Sequence, residues 1–445
     1  MNGPCSPTVI RMLVVILAWL AADAVAAAPP RRPNVILIMA DDFGYECVGA
    51  NGGESYRTPH LDRLAAGGLR FTHCYVQPLC TPTRVELMTG RSNVRNYVRF
   101  GLLPTAERTF ANVLADAGYA TGICGKWQLG QDPALPRHFG FGESFLWQHT
   151  RRPPRYANPG LEHNSRELDF SNGEYGPKLI SDFALDFVTR HRAKPFFLYY
   201  PMILTHDPFQ ATPDSKAWDP KLKSEQEQRD VKHFADMTEY MDKMVGRLVA
   251  KLEELGLREN TLILFTGDNG TGVQVTTRFK GQDYKGGKGT RTARGNHVPL
   301  IANWPGRIPA GRVNDDLVCS VDFLPTVCEA GGAKVPAELA IDGQSFLPQL
   351  LGQPGKPRDS YYLWYARNGG RDATFEFAQG RTLKLYRDGS VYDLVKDPFE
   401  DKPLRTAALS GAAAYEGRRL QAVLDRYAKA RPEHLAKHKA APVKD

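Results

Sequence analysis

Cysteine is scarce in this chain. Seven in 445 residues are too few and too scattered for a disulfide framework. Beyond the amino-terminal stretch, no apolar run approaches the roughly 20 residues that a membrane-spanning helix needs. No nucleic-acid-binding module is recognisable, so the formal net charge of +8 points at most to an acidic substrate. A Gly-Gly-Lys-Gly stretch at 286–289 lacks the spacing and strand–helix setting of a Walker phosphate loop, which argues against nucleotide binding. What is present is an ordinary globular composition, 42% apolar and 24% charged, over a length that allows one large domain and a smaller one.

The two ends stand apart from the rest. Arg11, then MLVVILAWLAA, then DAVAAAPP give a basic start, a short apolar core and an Ala-Val-Ala signal. Residues 1–26 are therefore expected to be a cleaved secretory signal peptide, and the protein secreted or periplasmic. Cys5 leaves with that segment. If Cys80 is functional, five cysteines remain (Cys47, Cys74, Cys124, Cys319 and Cys328). An odd number implies at least one buried free thiol, with Cys124 inside an apolar run as the candidate. Residues 431–445 read as a basic, disordered tail.

Between the ends, strand-like apolar runs alternate with helical patterns, which predicts an α/β layered domain. Residues 35–39 (VILIM) are continuously apolar, as expected of a strand covered on both faces, and lead into Asp41-Asp42. Residues 261–265 lead into Gly267-Asp268-Asn269-Gly270. Residues 196–200 lead towards Thr205-His206, and residues 119–124 into Gly125-Lys126-Trp127-Gln128. Residues 239–256 form an amphipathic helix pattern. Ligands of open α/β sheets bind beyond the carboxyl ends of the strands, and these ends carry the chemistry-bearing residues.

Asp41, Asp42, Asp268 and Asn269 make a hard-oxygen set suited to calcium or magnesium and unsuited to zinc. Three clustered carboxylates without a cation would repel one another. Arg84, Lys126 and Lys288 add positive charge, so metal and cations together could hold a tetrahedral oxyanion. At 79–91 the chain reads LCTPTRVELMTGR. Pro82 suits a first helical turn, Leu87 and Met88 supply an apolar face, and Gly90 is a stop signal. Cys80 thereby sits at the positive end of a helix dipole, a place for an anion or an activated nucleophile; a buried cysteine at a turn is the plainer alternative.

Cys80-Thr81-Pro82-Thr83-Arg84, closed by Thr89-Gly90-Arg91, resembles the C-x-P-x-R signature of type I sulfatases. The supporting motifs come in family order, from Ala40-Asp41-Asp42 through Gly125-Lys126-Trp127, Thr205-His206 and Gly267-Asp268-Asn269-Gly270 to Gly286-Gly287-Lys288-Gly289. Val391-Tyr392-Asp393-Leu394 and Lys396-Asp397-Pro398 resemble the closing segment. The resemblance implies an alkaline-phosphatase-like large mixed-sheet domain with helices on both faces, over 33–355. A small α+β domain with a four-stranded antiparallel sheet follows over 356–430, ending in a helix over about 415–430.

It also implies a sulfuric-ester hydrolase acting on a sulfated carbohydrate or aryl sulfate. Cys80 becomes formylglycine through a maturation enzyme, and one calcium ion is held by Asp41, Asp42, Asp268, Asn269 and residue 80. In that mechanism a hydroxyl of the hydrated aldehyde attacks sulfur. Arg84 polarises it, His206 protonates the leaving oxygen, Lys288 assists, and Lys126 steadies the sulfate. Gln128 and His149 join Lys126 and Lys288 as substrate-facing candidates, though a lone loop histidine such as His149 is equally a structural residue. The chain departs from the family at Gln128, where the pattern has histidine, so either sulfate release is slow or another group such as His206 or His297 supplies the base. It also departs at 294–299, where Arg-Gly-Asn-His-Val-Pro replaces a Glu-Gly-Gly-Ile-Arg-Val-Pro segment. The alternatives are a phosphodiesterase or phosphonate monoester hydrolase with the same signature, and a degenerate sulfatase that only binds sulfated glycans.

Overall fold

The computed structural model describes residues 32–224 and 226–437, so the expected signal peptide lies outside the described residues. Eight strands come first: β1 (Asn34–Ala40), β2 (Leu69–Tyr75), β3 (Ala120–Gly125), β4 (Glu143–Trp147), β5 (Gly160–His163), β6 (Arg166–Asp169), β7 (Phe196–Pro201) and β8 (Thr261–Gly267). A separate hairpin, β9 (Thr276–Phe279) and β10 (Gln282–Lys285), precedes β11 (Leu300–Asn303) and β12 (Arg312–Cys319). All but the hairpin pair into one ten-stranded sheet in the order β12-β2-β11-β8-β1-β7-β3-β4-β5-β6. The run β8-β1-β7-β3-β4 is parallel, whereas β11, β5 and β6 run antiparallel to their neighbours, so the sheet is mixed as expected.

Strand alternation divides the core. Val35, Leu37 and Met39 of β1 enter one apolar cluster, and Ile36, Ile38 and Ala40 enter the other. The first cluster is covered by the helices Cys80–Thr89, Phe110–Asp116 and Phe323–Ala330, the second by Pro59–Ala66, Gly176–Arg190 and His233–Glu254. Both faces of β1 are thus dry, which is why its residues are apolar without alternation. Among the described residues no helix is long and apolar enough to cross a membrane.

A second sheet follows, with order β13 (Tyr361–Tyr365), β14 (Phe375–Gln379), β15 (Leu383–Tyr386), β16 (Ser390–Asp393), β17 (Leu404–Arg405), antiparallel throughout. The resemblance implied four strands; the fifth is a two-residue edge. The terminal helix spans Gly411–Tyr427, four residues earlier at its start than its apolar pattern indicated. The tail expected to be disordered from 431 is folded at first. Glu433–Ala436 is a helical turn with Leu435 buried, and Arg431 lies over the Trp364 ring at 4.2 Å while donating to the Tyr97 carbonyl at 3.0 Å. The six cysteines among the described residues are all buried and unbridged, Cys124 with them.

The strand ends are packed too tightly for side chains to be interchangeable. Gly125, the last residue of β3, has φ 126°, and a Cβ there would stand 1.9 Å from the Pro201 carbonyl oxygen. That oxygen accepts the Lys126 N–H at 2.7 Å. Gly125→Ala is expected to destabilise the protein by about 2–4 kcal/mol through backbone strain and overpacking. A lowered urea midpoint would register it; an unchanged midpoint would mean that β3 and β7 can part at no cost.

Candidate active site

Four of the adjacent parallel strands, β8, β1, β7 and β3, end on the same edge of the sheet. Asp268 and Asn269 follow β8, Asp41 and Asp42 follow β1, His206 lies five residues beyond β7, and Lys126 follows β3. Neighbouring strands are about 4.8 Å apart, so residues distant in sequence meet here as neighbours.

The helix Cys80–Thr89 comes up beneath them. It was expected to show one apolar face, yet all ten of its residues are buried, Arg84 and Glu86 included. Glu86 pins it from inside, accepting hydrogen bonds from Gln77 at 2.8 Å and the Asn93 N–H at 3.0 Å, and from Ser320. Gly90, at φ 66°, closes the helix in the left-handed conformation its sequence signalled. Cys80 is the first helical residue, at the positive end of the dipole.

Each carboxylate has its cation. Lys126 Nζ donates to both oxygens of Asp41, at 2.7 and 3.0 Å. Lys288 Nζ donates to Asp42 at 2.7 Å, and Arg84 to Asp268 at 2.8 Å. The acids also touch one another's backbone and amide: Asp42 N–H donates to Asp268 at 3.1 Å, and Asn269 Nδ2 donates to Asp42 at 2.8 Å. Burial pushes Asp41 up, but Lys126, His206 and Arg84 outweigh it and hold Asp41 below the usual carboxylate range. For Asp268, burial and then the Asp41 charge prevail over Arg84, and its pKa is raised. Asp42 is at φ 60°, a left-handed conformation that aspartate tolerates better than most residues.

These residues fit a hard divalent cation. Oxygens of Asp41 and Asp42 and a His206 ring nitrogen lie within 4.8 Å of one another, and Asn269 Oδ1 is buried with no hydrogen-bond partner among the described residues. An orphaned buried amide oxygen beside three carboxylates is what a calcium or magnesium ion would satisfy.

The glycine-rich loop has a packing reason. A Cβ at Gly286 would stand 2.3 Å from the Gly272 carbonyl, and one at Gly270 would stand 1.9 Å from the Arg294 carbonyl. Three backbones therefore press together, with Gly270 N–H donating to the Gly295 carbonyl at 2.9 Å and Lys288 N–H to the Thr271 carbonyl at 2.9 Å. The divergent 294–299 segment is the latch over the Asp268–Asn269 turn. His297 within it is sandwiched between Tyr45 and Tyr75, at 4.2 and 4.9 Å. Burial holds its pKa at about 3, and it does not line the site.

Cys80, Lys126, Gln128, His206 and Lys288 line one cavity of about 370 Å³. Sequence reasoning missed much of its wall: Trp147, Phe100, Arg152, Arg155 and Arg367. Trp147 ends β4, the next parallel strand in the row, and that strand-end position was the signal that could have found it. The Arg155 guanidinium lies 4.2 Å over the Trp147 ring and 3.1 Å from His206 Nδ1, and Arg367 lies 4.7 Å over Phe100. His149, expected to face substrate, does not join them. It is buried against Glu162 at 3.5 Å and the Asp132 carbonyl at 3.3 Å, where burial lowers its pKa. Gln128 does face the cavity, from a left-handed backbone at φ 59°.

Lys288 Nζ also reaches His206 Nε2 at 3.2 Å. An ammonium can only donate, so Nε2 accepts from Lys288, while Nδ1 faces a donor, Arg155 at 3.1 Å, as well as an acceptor, the Asp207 carbonyl. Burial, then Lys288 and Lys126, hold the His206 pKa well below its ordinary value. Burial likewise raises the Cys80 thiol, against the pull of Lys126.

A family model described as Sulfatase matches residues 33–333, and one described as N-sulphoglucosamine sulphohydrolase, C-terminal, matches residues 292–410. The chain is 35% identical to arylsulfatase A of Homo sapiens, over 91% of this chain and 89% of that protein. It is 33% identical to N-acetylgalactosamine-6-sulfatase of Canis lupus familiaris, over 78% of this chain and 72% of that protein. Among solved structures, Ps i-CgsB in complex with k-i-k-neocarrahexaose is similar at TM-score 0.77 and 27% identity, covering 92% of this chain and 95% of that one. A phosphonate monoester hydrolase of Agrobacterium radiobacter shares the fold at TM-score 0.63 and 20% identity, over 93% and 100% of the two chains.

The orphaned Asn269 oxygen yields a test that needs no turnover. Calcium added to chelator-treated protein is expected to raise its melting temperature, with about 2.7 kcal/mol of stabilisation at a hundredfold excess over the dissociation constant. Asn269→Ala and Asp42→Asn should each remove most of that rise. If neither calcium nor magnesium shifts the parent, the acidic cluster is not a cation site.

Proposed function

The chain belongs to the sulfatase family, enzymes that hydrolyse sulfuric esters, and from that premise we propose that it desulfates an anionic carbohydrate, using a formylglycine matured from Cys80 and one calcium ion held by Asp41, Asp42, Asp268 and Asn269. The observation that carries this reading is the setting of Cys80: first residue of a buried helix, lining the cavity, beside three carboxylate-paired cations. A thiol whose pKa burial has raised keeps its proton near neutral pH, which argues against an unmodified thiolate as the nucleophile. The hydrated aldehyde supplies a hydroxyl nucleophile and the ion supplies charge to the sulfate oxygens.

The chain's own residues do the rest. Lys126 and Lys288 hold the sulfate from sites fixed by Asp41 and Asp42, and Arg84, locked by Asp268 and the Lys126 carbonyl at 2.9 Å, sets the field beneath residue 80. Lys288 and His206 share a hydrogen bond, so a proton from the Lys288 ammonium can reach the leaving oxygen directly or through His206 Nε2. Gln128 can hydrogen-bond in the cavity but takes no proton there, which leaves His206 with Lys288 for proton transfer among the described residues lining it.

The wall of the cavity supports a carbohydrate with a further negative group. Arg152, Arg155 and Arg367 are suited to carboxylate or sulfate in bidentate contact. The name of one relative, N-acetylgalactosamine-6-sulfatase, and the oligosaccharide seated on Ps i-CgsB agree with a glycan. Export and contact with a formylglycine-generating enzyme belong to the same reading.

Protein co-produced with that maturation enzyme is expected to carry an aldehyde at position 80 by peptide mass analysis, and Cys80→Ala to lose turnover of nitrophenyl sulfate by at least about 10³-fold. Faster turnover of nitrophenyl phosphate or phosphonate would favour the phosphodiesterase alternative, and glycan retention without turnover the binding one. Among sulfated saccharides of matched size, those with a second anion should show kcat/KM at least about tenfold higher than those without, one anion–guanidinium contact being worth about 1.5–3 kcal/mol. That preference should shrink in Arg152→Ala. Equal rates across the panel would assign the guanidinium wall some other task.

A further inference from the structure

We propose that the small carboxyl-terminal sheet positions Lys288, through a buried Lys384–Glu400 pair that holds the backbone carbonyl of Arg291. The inference rests on Lys288 acting on sulfate and leaving group as read above.

Lys384 belongs to β15 and is fully buried. Its Nζ donates to Glu400 at 2.8 Å and also to the carbonyl oxygen of Arg291, across from one sheet to the loop of the other. The second oxygen of Glu400 accepts the Tyr386 hydroxyl, and Glu400 itself is held at φ 63°, a left-handed backbone that a glutamate adopts only where its surroundings impose it. The ammonium lies 3.8 Å over the Phe377 ring, so its charge is enclosed by aromatic walls. The Arg291 side chain adds a second attachment, its guanidinium 4.7 Å over Tyr386 and donating to the Tyr392 hydroxyl at 3.3 Å.

Lys288 lies three residues before this clamp. Lys288 and the residue after it are tied to the loops that follow β8 and β2, with Lys288 N–H on the Thr271 carbonyl at 2.9 Å and Gly289 N–H on the Pro78 carbonyl at 2.9 Å. A turn from Thr290 N–H to the Gly287 carbonyl at 2.9 Å joins the two anchors. Glycines at 286, 287 and 289 give the segment little stiffness of its own. Its geometry must therefore come from what holds each end. A buried ion pair is a poor source of stability, since desolvation offsets most of the attraction, but a three-donor ammonium fixed on two sides makes a rigid clamp.

The test is a double-mutant cycle on full-length, matured protein with nitrophenyl sulfate. Lys384→Met combined with Glu400→Gln removes both charges together, so no ion is left unpaired. This variant is expected to lower kcat about 10- to 100-fold, the cost of misplacing a reacting group by about 1 Å. Placed in a Lys288→Ala background, the same pair change should alter kcat by less than about twofold, because the residue it positions is gone. Arg291→Ala, a milder change near the surface, should follow the same pattern should the buried variant fail to fold. Equal losses in both backgrounds, or no loss in the parent, would overturn the positioning role. A harmless Lys288→Ala would instead overturn the reading of Lys288 itself.

Discussion

Three carboxylates buried together at one edge of the sheet demand positive charge before any chemistry is possible. Two like charges 4 Å apart repel by about 4 kcal/mol even at an effective dielectric of 20. Asp41, Asp42 and Asp268 are fully or almost fully buried, so water does little to relieve them. Relief comes from Lys126, Lys288 and Arg84, and each is delivered by a different part of the chain: the end of β3, the glycine-rich loop and the Cys80–Thr89 helix. Neutralising the acids therefore fixes the relative positions of the strand ends, the loop and the helix. The same contacts that keep the acids folded thereby assemble the site.

That dependence explains features with no chemistry of their own. Glu86 anchors the helix so that Arg84 arrives at Asp268 with its guanidinium also on the Lys126 carbonyl. Burial raises Glu86 to about 7 against its three hydrogen-bond donors, which makes the anchor sensitive to any change that lets water in. The close backbone packing at Gly270 and Gly286 allows the loop bearing Lys288 to lie against the turn bearing Asn269. Lys288 reaches Asp42 only because its loop is tied down on both sides.

Strands and their ends were legible because burial on both faces leaves a continuous apolar run, and a charged residue directly after such a run has few places to go. Asp41, Lys126 and Asp268 were found that way. Arg152, Arg155 and Arg367 were not, because each lies in a loop whose course is set by packing far from it in sequence. The stretch Trp147-Gln148-His149 shows the limit well. Trp147 ends a strand and the other two follow it, and which one faces the cavity depends on how β4 pairs with β5; Trp147 faces it, while His149 turns to Glu162 on β5. The same difficulty hides Lys384 and Glu400, sixteen residues apart, which look like ordinary surface charges until the small sheet folds over them. The terminal turn at Glu433–Ala436 escaped because its one buried residue, Leu435, makes no pattern.

The cations also bear on the thiol of residue 80. A helix N-terminus and two lysines would ordinarily lower a thiol pKa and expose a thiolate. Here Asp268 and Asp41 act in the opposite sense and burial exceeds both lysines, so Cys80 is pushed up instead. The charge of Lys126 and Lys288 is already committed to Asp41 and Asp42, and the site as a whole is close to balanced. A balanced, buried site cannot make a strong anionic nucleophile from a thiol. It can hold a neutral hydroxyl beside an incoming anion, with His206 unprotonated and Lys288 charged next to it. The arrangement is organised around receiving negative charge from a substrate rather than generating it on the protein, and that is the electrostatic sense in which it suits sulfate esters.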